Sequence, residues 1–155
     1  MADAGQKKVN AFDLGGNLLW SSTGTDLFVV PSPYFDLAPD GKSGVWVGNP
    51  GRHRLENYDE NGKFVSFWEP ERKNKFLGCC NPSHVAALPS GRLATLEKGL
   101  VRSRTFAPSG ALESVTADSD QFRSPNFEYD LEVNGKGEIL ILDVHQKHIR
   151  VFKNA

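Results

Sequence analysis

An aromatic residue followed four positions later by glycine recurs along the chain at nearly constant intervals. Phe12-Asp13-Leu14-Gly15-Gly16, Tyr58-Asp59-Glu60-Asn61-Gly62 and Phe106-Ala107-Pro108-Ser109-Gly110 carry it, and Phe152-Lys153-Asn154-Ala155 begins it again. The aromatics are spaced by 46, 48 and 46 residues. Four residues before each stands a basic group: Lys8, Arg54, Arg102 and His148. A further register runs through Pro31, Pro82 and Pro125, each followed at 9 or 10 residues by Gly41, Gly91 or Gly135. Self-similarity of this kind is the mark of a repeat architecture, in which one unit cannot bury its own apolar face and stacks on the next.

The unit itself is short strands cut by turns. In the second copy the strands are Tyr34 to Ala38, Val45 to Gly48, Arg54 to Tyr58 and Lys63 to Trp68. Asn49-Pro50-Gly51 is turn chemistry, and Asp59-Glu60-Asn61-Gly62 is a hairpin loop with glycine last. The third copy has Val85 to Leu88, Arg92 to Leu96, Arg102 to Phe106 and Ala111 to Thr116; the fourth has Tyr129 to Val133, Glu138 to Leu142 and His148 to Phe152. The first shows only Lys8 to Phe12 and Asn17 to Ser21, as strands three and four. No segment has a helical period. Four short strands per 40–50 residues predict an all-β chain, a β-propeller of four-stranded antiparallel blades. The whole of 1–155 reads as one propeller segment: 1–30 holds the end of a first blade, 31–75 and 76–120 are blades, and 121–155 is a blade lacking its fourth strand.

Gly51-Arg52-His53-Arg54-Leu55 with Tyr58 and Gly62, and Gln146-Lys147-His148-Ile149-Arg150-Val151-Phe152, resemble the NHL-repeat family of β-propellers. Glu97-Lys98-Gly99-Leu100-Val101-Arg102 departs most from that pattern. The resemblance implies the fold and leaves function open, because propellers host binding, scaffolding and catalysis alike.

Composition bounds the partners. Hydrophobic residues are 39% and charged residues 24%, a globular balance. The apolar run Leu27-Phe28-Val29-Val30 ends at Pro31, far short of a membrane span. Residues 1–8 lack the apolar stretch of a secretory signal, which leaves the compartment open. Net charge is −1 and the basic clusters are small, Arg102 with Arg104 and Arg72 with Lys73 and Lys75, which argues against a nucleic-acid face. The sequence calls for no cofactor or metal, and it has no phosphate loop, His-Glu-x-x-His or Gly-x-Ser-x-Gly motif.

Loops that lead into strand one, and those joining strands two and three, emerge on the same face of a propeller. That face collects the candidate ligand-binding residues Arg52, His53, Cys79, Cys80, Asn81, His84, Glu97, Lys98 and His145. The adjacent cysteines of Gly78-Cys79-Cys80-Asn81-Pro82 admit three readings: a strained vicinal disulfide, a reduced structural pair, or a metal-binding or catalytic thiol. A disulfide would place the chain in the periplasm or outside the cell, and a reduced pair in the cytoplasm. Glu97-Lys98-Gly99 admits two readings: an exposed ion pair at a turn, which the sequence favours, or a Lys98 that points at the channel mouth and receives an anionic group. The functional expectation is a module binding a small molecule or a protein on this face, leaning away from an enzyme. The alternative is a lyase or lactonase-like propeller with a metal or redox site at the channel mouth. That alternative needs ligands at strand one, where Asp36, His84 and Asp130 stand.

Three blades leave open edges. Two accounts are open, a longer propeller of which this is a segment and a two-copy assembly. The expectation is a dimer closing a six-bladed ring, each copy donating Asn17 to Ser21 to the other's last blade. Lys8 to Phe12, which duplicates His148 to Phe152, would then have to be displaced.

Overall fold

The computed structural model describes residues 1–22, 28–122 and 128–153. Pro125, the rest of the approach to the last blade's inner strand, and Asn154-Ala155 lie outside the described residues. Among those described, fourteen strands form four antiparallel sheets. The first holds β1 (Ala2–Asp3), β2 (Lys8–Phe12) and β3 (Leu18–Ser21). The second holds β4 (Leu37–Pro39), β5 (Val45–Asn49), β6 (Arg54–Tyr58) and β7 (Phe64–Trp68). The third runs β8 (His84–Ala87), β9 (Leu93–Glu97), β10 (Arg102–Phe106), β11 (Leu112–Ala117), and the fourth β12 (Tyr129–Val133), β13 (Ile139–Asp143), β14 (His148–Phe152). The only helices among the described residues are two single 3-10 turns, at Arg72–Asn74 and Ser119–Gln121.

The aromatic-to-glycine motif is a bulged hairpin between strands three and four. In each of three copies the register slips just before the aromatic, at Ala11/Phe12, Asn57/Tyr58 and Thr105/Phe106. The glycine N–H then closes the turn on the carbonyl of the residue after the aromatic, at 3.1, 3.0 and 2.9 Å. The turn puts this glycine at positive φ, between 75° and 87°, a region costly for a side chain with a Cβ.

The glycine has a second task at two positions. Trp20 lies over Gly62 and Trp68 over Gly110, so closely that a Cβ at either glycine would run into the indole. Each Trp belongs to strand four of one sheet and rests on the hairpin of the next. Sheet-to-sheet burial continues inward. Trp46, Leu55, Trp68, Phe76, Val85, Leu93 and Phe106 fill the space between the second and third sheets. Val9, Phe28, Phe35, Val47 and Tyr58 fill that between the first and second. Leu96, Ala94, Leu131, Ile139 and Ile141 belong to the core between the third and fourth.

Two differences from the sequence reading are physical. The first sheet has an extra strand, β1, only two residues long and carrying a single small apolar side chain, too little to show a period. The inner strand of the second sheet starts at Leu37 rather than Tyr34. Phe35 turns into the core and stacks on Phe28 with ring centroids 5.0 Å apart, which takes Tyr34 and Phe35 out of the ladder.

Trp68 touches Trp46, Phe76 and Phe106 at centroid distances of 6.4, 6.4 and 5.2 Å. Trp68→Ala is expected to cost about 3–5 kcal/mol in urea unfolding, the range for a buried large aromatic. Trp20→Ala, at the half-buried indole of the first sheet, is expected to cost less.

Candidate functional site

Strand one of the second, third and fourth sheets lines the axis, and one position near its start is repeated. Asp36, His84 and Asp130 stand there in three consecutive sheets, 48 and 46 residues apart. The structure brings them together. His84 Nδ1 lies 3.3 Å from Asp130 Oδ1 and 3.6 Å from Asp36 Oδ2. Its Nε2 is 3.2 Å from the Tyr34 hydroxyl, and the two rings lie 5.2 Å apart at 31°. Backbone N–H groups fix both carboxylates: Leu37 donates to Asp36 Oδ1 at 2.9 Å, Val85 to Asp36 Oδ2 at 3.0 Å, and Leu131 to Asp130 Oδ1 at 2.8 Å.

The neutral ring tautomer that satisfies this cage carries its proton on Nδ1, toward the carboxylates, and accepts from Tyr34 at Nε2. Burial raises the Tyr34 hydroxyl above its ordinary value, and the charges of Glu128, Asp130 and Asp36 add to it. Tyr34 is therefore a phenol, a donor, throughout the physiological range. Below this cluster a cleft of about 430 Å³ runs down the inner strands, lined by residues 36–39, 85–87 and 130–133. It meets a second cleft of about 550 Å³ at the opposite face, formed by the turns between strands one and two.

The loop leading to β8 is tied to the same mouth. Buried Asn81 grips the peptide of Lys98 from both sides: its Oδ1 accepts from Lys98 N at 2.8 Å and its Nδ2 donates to Lys98 O at 2.9 Å. Nδ2 also donates to Leu77 O. The Asn81-Pro82 peptide is cis. Lys98 then reaches inward, donating from Nζ to Ser32 Oγ at 2.9 Å, 6.0 Å above the Tyr34 ring. Cys79 is exposed and Cys80 buried, with their sulfurs 2.9 Å apart. The Cys80 hydrogen bond and charge raise the Cys79 thiol above its ordinary value, against its own backbone hydrogen bond and the pull of Lys98. A thiol held protonated is a poor nucleophile at neutral pH.

Asn81, His84, Lys98 and the Cys79-Cys80 pair thus share one mouth. Glu97 does not face it. It is buried between the second and third sheets, bound to Arg102 Nε at 2.8 Å and Arg104 Nε at 2.6 Å. Glu56 does the same work one sheet earlier, accepting from Asn49, Arg54 and Tyr58 at 2.9, 2.7 and 2.7 Å. Arg52 and His53 lie half-buried on the β5–β6 turn, and His145 is exposed on the β13–β14 turn. Asp36 and Asp130 were visible from repeat spacing. Tyr34 and Ser32 carried no such signal, because at the 48-residue spacing that relates Asp36 to His84 they fall on residues of other types, Pro82 and Cys80. Among the described residues no three His, Cys, Asp or Glu side chains are grouped to hold a metal ion, and no helix is long and apolar enough to cross a membrane.

No family model and no curated protein matches the chain. Solved structures do. The chain is similar to the WD40 β-propeller domain of Doa1, with a TM-score of 0.61 at 15% identity, over 96% of this chain and 44% of that one. It is similar to a streptogramin B lyase, with a TM-score of 0.63 at 10% identity, over 95% and 44%. It is also similar to the virginiamycin B lyase of Staphylococcus aureus, with a TM-score of 0.58 at 10% identity, over 95% and 48%. The chain spans less than half the length of each. Identities this low show the fold alone, and the fold is that of a β-propeller.

The cause of the Cys79 shift gives a test. Alkylation of Cys79 by iodoacetamide is expected to be slow at neutral pH and to rise only above the pH at which an ordinary thiol ionises. Cys80→Ala removes the first cause, so the alkylation profile should move to lower pH. An unchanged profile would remove Cys80 as the cause.

Proposed function

We propose that the chain is a ligand-binding segment of an NHL-like β-propeller, taking a small polar molecule or a polar peptide end at the axial mouth. The observation that carries this reading is the convergence of three inner strands on His84. Side chains from three separate blades meet there with Tyr34 and Lys98, over a cleft deep enough to enclose part of a ligand. Lys98 would exchange Ser32 for an anionic group of the ligand, and Asp130, the more exposed carboxylate, would take a hydroxyl or ammonium group. Asn81 acts as a positioning residue through the Lys98 peptide, and the Cys79-Cys80 pair forms the rim. In a two-copy ring these groups would occur twice around one axis.

One observation favours a second reading, a lyase-type enzyme. A histidine whose Nδ1 faces carboxylates and whose Nε2 meets a phenol is built to pass a proton. In that reading Tyr34 and His84 act as acid and base on a substrate seated against Lys98.

The test is a titration of the labelled chain with a panel of small carboxylates, amino acids and sugars, followed by amide NMR shifts. Binding is expected to move the signals of Lys98, His84 and Leu131 and to weaken at least tenfold in Lys98→Ala for the carboxylate-bearing members, the loss of a charge-assisted hydrogen bond. Shifts confined to the opposite cleft around Gly41, Gly91 and Gly135 would overturn the proposal. Turnover of a bound member that His84→Ala abolishes without loss of binding would favour the enzyme.

A further inference from the structure

The two ends of the chain carry the same hairpin twice. In 2–12 and in 142–152 an aspartate closes the first strand and accepts a glutamine N–H at 2.8 Å: Gln6 to Asp3, and Gln146 to Asp143. A lysine turns the corner in each, Lys7 at φ 55° and Lys147 at φ 56°. The registers agree, Ala2↔Val9 and Asp3↔Lys8 in one, Leu142↔Ile149 and Asp143↔His148 in the other. Each hairpin ends on a phenylalanine, Phe12 or Phe152.

What covers them differs. Val9 is 2% exposed, packed in the core with Phe28, Phe35, Val47 and Tyr58 of the second sheet. Leu55 and Ser103, at the same repeat position in the two complete sheets, are each 0% exposed. Ile149 holds that position in the last sheet and is 61% exposed, with Val151 at 56% and Leu142 at 37%. Ile149 and Leu142 are cross-strand partners, and Val151 pairs with Leu140, so these side chains form one apolar face. The outer edge of β14 is also unpaired among the described residues, where β7 and β11 complete the sheets before it. The first sheet has the converse gap: among the described residues it has an outer strand, β3, and no inner one.

We propose that the hairpin Leu142–Phe152 of one copy replaces the hairpin Ala2–Phe12 of a second copy, reciprocally. The last sheet would then run β12-β13-β14 and end on β3 of the other copy, as a blade of four strands. Two copies would close a ring of six blades, with the displaced N-terminal hairpins released outside it. A second copy is the fitting occupant because the receiving surface is present in this chain and already holds a hairpin of the same turn and register. The incoming hairpin also binds with more apolar surface: Ile149 for Val9, Val151 for Ala11 and Leu142 for Ala2, and β12 comes with it. Exchange of equivalent elements between copies is a low-cost route to a dimer, and it removes both open edges at once. The proposal stands independently of any ligand at the axial mouth.

Light scattering and hydrogen exchange on the full chain test it. At micromolar concentration the mass is expected to be twice the 17.1 kDa of the chain. In the dimer the amides of Lys8–Phe12 should exchange as free chain while those of His148–Phe152 are protected. Ile149→Asp should return the mass to that of one chain. Val9→Asp weakens the resident hairpin alone, so it should tighten association by roughly tenfold or more. A single-chain mass for the unmodified protein overturns the proposal. So does a dimer in which Lys8–Phe12 stays protected, because two intact N-terminal sheets would then be packing face to face. These two readings need only the unmodified chain and stand even if Val9→Asp fails to fold.

Discussion

Everything in this structure depends on one sheet burying its face under the next. A twisted four-stranded sheet has two apolar faces and cannot fold by itself in water. Here the contact is fixed at the rim by an indole lying on a glycine hairpin, Trp20 on Gly62 and Trp68 on Gly110. Within the sheets it is fixed by aromatic clusters such as Trp68, Phe76 and Phe106. That packing sets the angle between neighbours, and the angle sends all the inner strands to one axis. The site at the axis is a consequence: Asp36, His84 and Asp130 are far apart in the chain and meet because three sheets stack in the same way.

The charges sort into two groups by what the stacking does to them. Glu56 and Glu97 are taken out of water, Glu56 held by Arg54, Asn49 and Tyr58 and Glu97 by Arg102 and Arg104. Burial lowers the Arg104 guanidinium below its ordinary value, with Glu97 opposing that shift. Tyr58, hydrogen-bonded to Glu56, is held well above its usual value by burial first and the carboxylate second. Ion pairs of this kind stabilise little in themselves, but removing one partner strands a buried charge. Each pair lies within one sheet, and Arg102 and Arg104 also donate to the Lys75 and Asn74 carbonyls of the loop that leads into the third sheet. In the second group Asp36 and Asp130 line the cleft, with Tyr34 bonded to His84 beside it and Lys98 over the Tyr34 ring.

Asn81 connects the two roles. Its side chain pins the Lys98 peptide on both its N–H and C=O, so the loop holding Cys79 and Cys80 and the turn holding Lys98 move as one piece. The two loops at the mouth are therefore tied to each other rather than independent.

The repeat by itself determined the architecture. Aromatic-to-glycine spacing marks the hairpins, because a bulged turn needs positive φ at one place and a neighbour's indole tolerates no Cβ there. The repeat register placed β2, β6, β10, β12 and β14 to the residue. Repeat spacing also marked Asp36, His84 and Asp130 as equivalent. Tertiary structure decided which of the polar residues face the axis. Glu97 and Lys98 are adjacent on one turn, yet the alternation of the strand sends Glu97 to arginines between the sheets and leaves Lys98 to turn toward Ser32 and Tyr34. Nothing local distinguishes them, since the partner that captures Glu97 lies across a strand pair and the hydroxyls near Lys98 lie 64 to 66 residues away in sequence. Whether an apolar residue is core or surface was likewise a tertiary matter: Val9 and Ile149 read alike in the repeat, and only the presence of a neighbouring sheet buries the one and leaves the other bare.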